Sequence, residues 1–362
     1  MRGPRITLWI LLALLANKPI LAAAEPSPFD TLFGHQSPVR EVAFFPDGKQ
    51  LVSAAIGEDP VRLWNLIPGE CRTTFKTDAS VGSVNHVAVS PDGYTLAIGS
   101  SNVEIFPETD GKPRPCTLRL YDLYAGTNKV IVVSRDAPMG IDSVKYSPDG
   151  KTLAVMTRNQ LILWDVRTEQ ARATLEAPLR ANRSRKTSDM NAYGFTSFDM
   201  SRDSRLLATG GYDHVVRLWD LATGRALTTF TGHEKKVNTI AFSPDGKTMA
   251  SGSDDKSVRV WSLALVEPRA ILRFPGQVFS LAYSPGGELL AIAFGSEKGT
   301  VTFCETKAYQ KLASFNSSYA KSRLARNYNI VFSPDGGLLA TCSADRTITF
   351  WKMAGIMKLV PR

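Results

Sequence analysis

One turn recurs along this chain seven times, and few folds tolerate such a rhythm. Pro46-Asp47-Gly48, Pro91-Asp92-Gly93, Pro148-Asp149-Gly150, Arg202-Asp203-Ser204, Pro244-Asp245-Gly246, Pro285-Gly286-Gly287 and Pro334-Asp335-Gly336 share one logic. Proline presets φ at the first corner, while Asp and Gly suit the positions that follow. Downstream of each turn, a run of apolar and β-branched residues ends in Trp64, Tyr121, Trp164, Trp219, Trp261, Cys304 or Trp351. The two series advance together at a spacing of roughly 40 to 57 residues, with no competing helical periodicity. Short strands separated by turns at a regular interval indicate an all-β repeat architecture, in which one unit cannot bury both faces of its sheet alone.

The unit resembles the WD40 repeat of β-propellers, which carries a Gly-His, a Ser-Pro-Asp-Gly-type turn and a terminal Trp-Asp. Gly232-His233, Ser251, Asp255 and Trp261 match a whole unit, Trp164-Asp165 and Trp219-Asp220 supply the dipeptide, and Gly34-His35 opens the first repeat. The resemblance covers about residues 29 to 352. It implies a seven-bladed propeller of four antiparallel strands per blade, in which the Trp-type residues Trp64, Tyr121, Trp164, Trp219 and Trp351 pack between blades. It also implies a hydrogen-bonded tetrad of His233, Ser251, Asp255 and Trp261. This structural role for His233 outweighs its reading as a metal ligand or base, because buried polar groups are as a rule hydrogen-bonded. The aspartate position holds Glu58, Pro115, Arg158 and Lys298 in four other units, and those blades are expected to rely on packing alone.

A ring must close, since a free strand edge is a liability. Phe29 to Val39 reads like Leu227 to Val237, the outer strand of one blade leading into the next. Residues 29–33 are therefore the favoured closing strand, with 356–360 as the rival. The continuous repeats leave no linker, so residues 25–362 are expected to form one domain.

Residues 1–24 read as a cleavable export signal. Arg2 and Arg5 precede the apolar run Ile6 to Ala16, and Ala22-Ala23-Ala24 offers a small-residue cleavage site. The run is too short to span a bilayer, and no Cys adjoins the site. A periplasmic or secreted protein, with no transmembrane anchor after cleavage, is expected. Exported versions of such propellers resemble bacterial ones. An oxidising compartment raises the question of disulfides among four cysteines. Cys304 and Cys342 fall on strands, whereas Cys71, on an outer strand, and Cys116, in a loop, are the one pair whose positions admit a bridge; spacing does not establish it.

The formal charge is +9, and without the three leader cations 40 basic residues face 34 acidic ones, a net of +6. That balance favours anionic partners without specifying one. Three insertions fall on the face that carries the connections between blades: 99–116, 179–194 and 316–328. The last two bring Arg180, Arg183, Arg185, Lys186, Lys321, Arg323 and Arg326, interleaved with Tyr193, Tyr319 and Tyr328. Arg and Tyr are residues that interfaces enrich, and insertions on one face of a repeat protein are often its binding face; the plain alternative is a solvated loop.

Enzyme signatures are missing from the sequence. Gly150-Lys151-Thr152 and Gly246-Lys247-Thr248 resemble the end of a phosphate-binding loop, but Lys145 and Ala241 stand where its first glycine belongs. No haem, zinc or nucleophile-elbow motif occurs, and no cofactor or metal is implied. The leading reading is a non-catalytic, monomeric scaffold that binds protein through the upper face. The alternatives are a binder of anionic polymers or surfaces through loops 179–194 and 316–328, nucleic acid being the least favoured, and an enzyme with an unrecognised central-channel site.

Overall fold

A computed structural model describes residues 28–55, 60–66, 71–75, 83–101, 116–134, 140–157, 159–177, 194–296, 299–316 and 327–361. They form seven four-stranded antiparallel sheets arranged as the blades of a propeller. Blade 5 shows the unit: Val237–Phe242 innermost, then Thr248–Ser253, Ser257–Ser262 and Glu267–Arg273 outermost. Its second strand is buried at every residue, whereas its outermost strand is mostly exposed. Apolar clusters lie between blades: Ala241, Ala250 and Val258 of blade 5 pack on Val278, Leu281 and Leu290 of blade 6. Each layer is thus completed by the next repeat, as the periodicity requires.

The recurrent turn joins the first and second strands and lies on the lower face. In blade 5, Lys247 N–H donates to Asp245 Oδ1 (3.0 Å) and Thr248 N–H to Ser243 Oγ (3.1 Å), while Gly246 adopts φ +67°. A side chain there would meet the left-handed steric penalty. The turns also lie side by side: a Cβ added at Gly93, Gly150, Gly287, Gly336 or Gly48 would come within 3.4 to 3.8 Å of Pro46, Pro91, Pro244, Pro285 or Pro334 of the neighbouring turn. Blade 4 departs from the pattern, with Ser204 at φ +57° receiving a hydrogen bond from Asp149 N–H of blade 3 (3.0 Å).

Closure is by the N-terminal strand. Pro28–Leu32 pairs antiparallel with Ile348–Lys352, becoming the outer strand of blade 7. The rival segment does not form a strand. Ala354–Met357 is one turn of helix, and Ile356, Leu359 and Val360 pack with Trp351 and Met353 in the cluster between blades 6 and 7. The expectation that Cys116 sits in a loop is also corrected, because it opens the third strand of blade 2, Cys116–Asp122.

The inner strands enclose a central channel of about 760 Å³ to which all seven contribute. Every one of these strands shifts register near its start, at the third residue, Asn85, in blade 2 and at the second in the others: Arg40, Asp142, Thr196, Asn238, Phe279 and Tyr328. A bulge re-aims a side chain and increases local twist. The register shift recurs in all seven inner strands, next to the upper mouth.

Candidate functional site

The tetrad residues converge in blade 5. Trp261 Nε1–H donates to Ser251 Oγ (2.8 Å), Ser251 Oγ lies 2.8 Å from His233 Nε2, and His233 Nδ1 lies 2.7 Å from Asp255 Oδ2. One proton arrangement satisfies all three contacts: Ser251 Oγ–H donates to Nε2, and Nδ1–H donates to the carboxylate. Burial lowers the His233 pKa against the opposing pull of Asp255, so the ring is neutral at pH 7. Burial pushes the Asp255 carboxyl up, yet hydrogen bonds from Ser257 and His233 and the Glu234 amide outweigh it and hold the pKa at about 2.

Ser251, His233 and Asp255 stand in the order of a nucleophile, base and orienting acid. That constellation requires an exposed nucleophile and an adjacent oxyanion site. Ser251 is 0% exposed and its oxygen already accepts the indole N–H, so no substrate reaches it. The arrangement ties the upper connection to the third strand and is a framework element.

The other blades reveal a second rule, absent from the sequence reading. Trp64, Trp219 and Trp351 donate to Ser53 (2.8 Å), Thr209 (2.9 Å) and Thr341 (3.1 Å), at the position of Ser251. Where the third strand ends in Tyr121, Trp164 or Cys304, that position holds Ile98, Val155 or Ile292. Indole N–H and hydroxyl acceptor are kept together in four blades, and the acceptor is replaced by a hydrocarbon in three. Blade 1 keeps more of the network than expected, because His35 Nε2 lies 2.6 Å from Ser53 Oγ. Packing alone therefore does not describe it. Trp64, Trp219 and Trp351 are buried, and Tyr121 and Trp164 are partly buried between blades.

The eponymous aspartates cap turns. Asp220 Oδ1 accepts from Thr223 Oγ1–H (2.6 Å) and N–H (2.8 Å), and Asp165 accepts the same pair from Thr168 (3.0 and 2.8 Å). The Thr223 hydroxyl and amide hold Asp220 below the usual carboxylate range, as the Thr168 amide and hydroxyl do Asp165. An acid stabilised as its anion by turn donors is poorly placed to give up a proton in catalysis.

Inside the channel, the edge of each inner strand leaves backbone groups unpaired within its own sheet, and neighbouring blades supply partners. Glu41 Oε2 accepts from Val87 N–H (3.1 Å) and lies 3.1 Å from His86 Nδ1. Asp199 accepts from Phe242 N–H (2.9 Å) and Lys145 Nζ (3.1 Å), and Ser280 Oγ from Ile330 N–H (3.2 Å). Asn238 Nδ2 bridges Asp254 Oδ1 (2.7 Å) and Val278 O (2.9 Å). These polar groups are spent on joining blades. Among the described residues, no group of three or more His, Cys, Asp or Glu could hold a metal ion.

Of the candidate partner-binding residues, Arg180, Arg183, Arg185, Lys186, Tyr193, Tyr319, Lys321, Arg323 and Arg326 lie outside the described residues, as do Glu58, Pro115, Arg158 and Lys298 and the leader, 1–24. Tyr328 lies on the inner strand of blade 7, Asn327–Phe332, with its side chain outside the description. The side chains of Cys71 and Cys116 also lie outside it, whereas Cys304 and Cys342 are buried free thiols. Burial pushes Cys304 up to about 12 and Cys342 higher still.

Comparison with known proteins agrees with this geometry. The family described as WD domain, G-beta repeat matches residues 26–65, 187–220, 224–262 and 328–352. These segments contain Trp64, Trp219, Trp261 and Trp351, the four tryptophans bonded to a Ser or Thr. A guanine nucleotide-binding protein subunit beta of Oryza sativa subsp. japonica is 26% identical over 91% of this chain and 84% of its own length. A WD repeat-containing protein WDS homolog of Arabidopsis thaliana is 28% identical over 59% of this chain, which spans only 44% of that relative. A WD repeat-containing protein SL1-17 of Schistosoma mansoni is 30% identical over 46% of this chain and 54% of its own length. The chain is a seven-bladed β-propeller, four segments of which match the family described as WD domain, G-beta repeat, and it is similar over most of its length to a guanine nucleotide-binding protein subunit beta.

Proposed function

We propose that this protein is an exported, non-catalytic scaffold that binds a protein partner through the upper face of the propeller. The observation that carries the reading is the ring of seven bulges. A rigid frame of near-identical blades presents dissimilar side chains, among them Arg40, Asp142, Thr196, Asn238 and Phe279, around one mouth. Such a surface discriminates between partners by shape and charge while the frame stays fixed. In sequence, the basic, tyrosine-bearing stretches 179–194 and 316–328 follow outer strands and precede inner strands, which is the connection the reading assigns to the upper face. Export rests on the leader-like residues 1–24, and the mature amino terminus is then Glu25, which mass determination of the protein from its source cells checks.

Reversing Arg183, Arg185, Lys186, Arg323 and Arg326 to Glu tests the upper face. The variant folds, by circular dichroism, and loses the partner that the parent protein retains at high salt. Unaltered capture removes the loops from the interface. Capture by the parent that vanishes in salt transfers the loops to an anionic polymer or surface.

A further inference from the structure

Blade 2 differs from its neighbours on the lower face, away from the proposed upper-face interface. In four of the other six recurrent turns, the residue after the turn is a cation that donates its amide to the turn aspartate, whereas blade 6 has Glu288 there and blade 7 has Gly337. Lys49, Lys151, Arg205 and Lys247 do so at 2.9 to 3.1 Å, and each sets a cation beside the carboxylate. In blade 2 that residue is Tyr94, bonded to Asp92 at 2.9 Å and 61% exposed. The neighbouring turn, between the third and fourth strands, carries Tyr124, whose amide bonds Asp122 at 2.9 Å and whose side chain is 91% exposed. Leu123 N–H donates to Tyr94 O (2.8 Å) and joins the two turns side by side.

Two consequences follow from the substitution of tyrosine for cation. Exposed aromatic area appears where four of the other turns carry a cation. Asp92 and Asp122 also have no ion pair among the described residues, whereas Lys151 and Arg205 lie 3.9 Å from Asp149 and Asp203. Aromatic faces beside uncompensated carboxylates select a cation: the ring attracts it through its quadrupole and the carboxylate through its charge. We propose that the lower rim of blade 2, built from Asp92, Tyr94, Asp122 and Tyr124, docks a Lys- or Arg-bearing segment of a partner protein. The chain as a whole carries a formal charge of +9 and repels such a segment. Retention of a polycation is therefore diagnostic of a local site.

The test titrates a fluorescent, end-blocked deca-lysine peptide into the protein at low salt and reads anisotropy. Tyr94→Lys introduces the residue type of four of the other turns, and combined with Tyr124→Ala it weakens binding about ten-fold, corresponding to the loss of two exposed cation–π contacts. The charge-reversed upper-face variant leaves Tyr94 and Tyr124 in place and retains the peptide, which separates this site from the upper-face reading. Absence of binding by the parent protein, equal binding by the double variant, or preference for a deca-glutamate or neutral proline-rich peptide overturns the proposal. Circular dichroism confirms that the double variant is folded before any loss is attributed to the site.

Discussion

Replacing Asp255 with alanine isolates the tetrad's contribution to the frame. The carboxylate accepts four hydrogen bonds: from His233 Nδ1–H (2.7 Å), Glu234 N–H (3.0 Å), Ser257 N–H (2.9 Å) and Ser257 Oγ–H (2.6 Å). Glu234 lies at an exposed position, so its amide regains water. The His233 side chain is only 1% exposed, and its Nδ1–H keeps only Ser257 Oγ, 3.3 Å away, in place of the 2.7 Å bond to the carboxylate. A buried donor left without a good acceptor costs about 1 to 3 kcal/mol, and that is the expected loss for blade 5. Because the blades need not unfold as one unit, the assay is native-state hydrogen exchange of amides in Thr248–Ser253 and Ser257–Ser262, supported by urea unfolding. A cycle with His233→Ala yields a coupling energy of the same sign. Acid supplies an independent check. The folded Asp255 pKa, about 2, lies below its unfolded value, so its contribution is complete above about pH 4 and disappears as pH falls towards 2. Unchanged exchange in blade 5, or an acid limb identical to that of the parent, refutes the network.

Three further outcomes follow from the same geometry. Trp261→Phe strands the acceptor on Ser251 and costs about 1 to 3 kcal/mol, whereas Trp164→Phe, in a blade with Val155 at the acceptor position, costs under about 1 kcal/mol; urea midpoints compare them. Gly252→Ala destabilises the contact between blades 5 and 6 by about 1 to 3 kcal/mol, because its Cβ would lie 2.4 Å from Val278 Cγ1; thermal unfolding reads the loss. In a Cys71→Ser, Cys116→Ser background, Cys304 and Cys342 stay inert to an aromatic disulfide reagent until denaturant is added, since burial holds both thiols protonated.

Much of the fold was legible because its determinants are local. A Pro-Asp-Gly turn and a following Trp each declare a strand end within a few residues, and their recurrence counts the blades. The closing strand was legible from the likeness of Phe29–Val39 to Leu227–Val237, whereas Ile356–Val360 is apolar enough to suggest a strand and instead packs as a helical turn. What escaped the sequence depends on neighbours distant along the chain. The pairing of Glu41 with His86 and of Lys145 with Asp199 exists only once adjacent blades meet. The bulges have no fixed residue type, since their second positions range from Arg40 to Phe279. One signal was present and unread: Ser or Thr at 53, 209, 251 and 341 accompanies a terminal Trp, and Ile accompanies its loss in two of the three other blades, at 98 and 292.

The most direct measurement places a photo-activated cross-linking amino acid at one position at a time in residues 25–362 and identifies the captured protein in an extract of the source cells by mass spectrometry. Arg40 and Phe279 stand at the upper mouth, while Ile271 lies exposed on the outer strand of blade 5. The scaffold account predicts one salt-resistant protein joined to positions 40 and 279 and absent from position 271. Capture from position 271 alone, or the same adducts from all three, contradicts it.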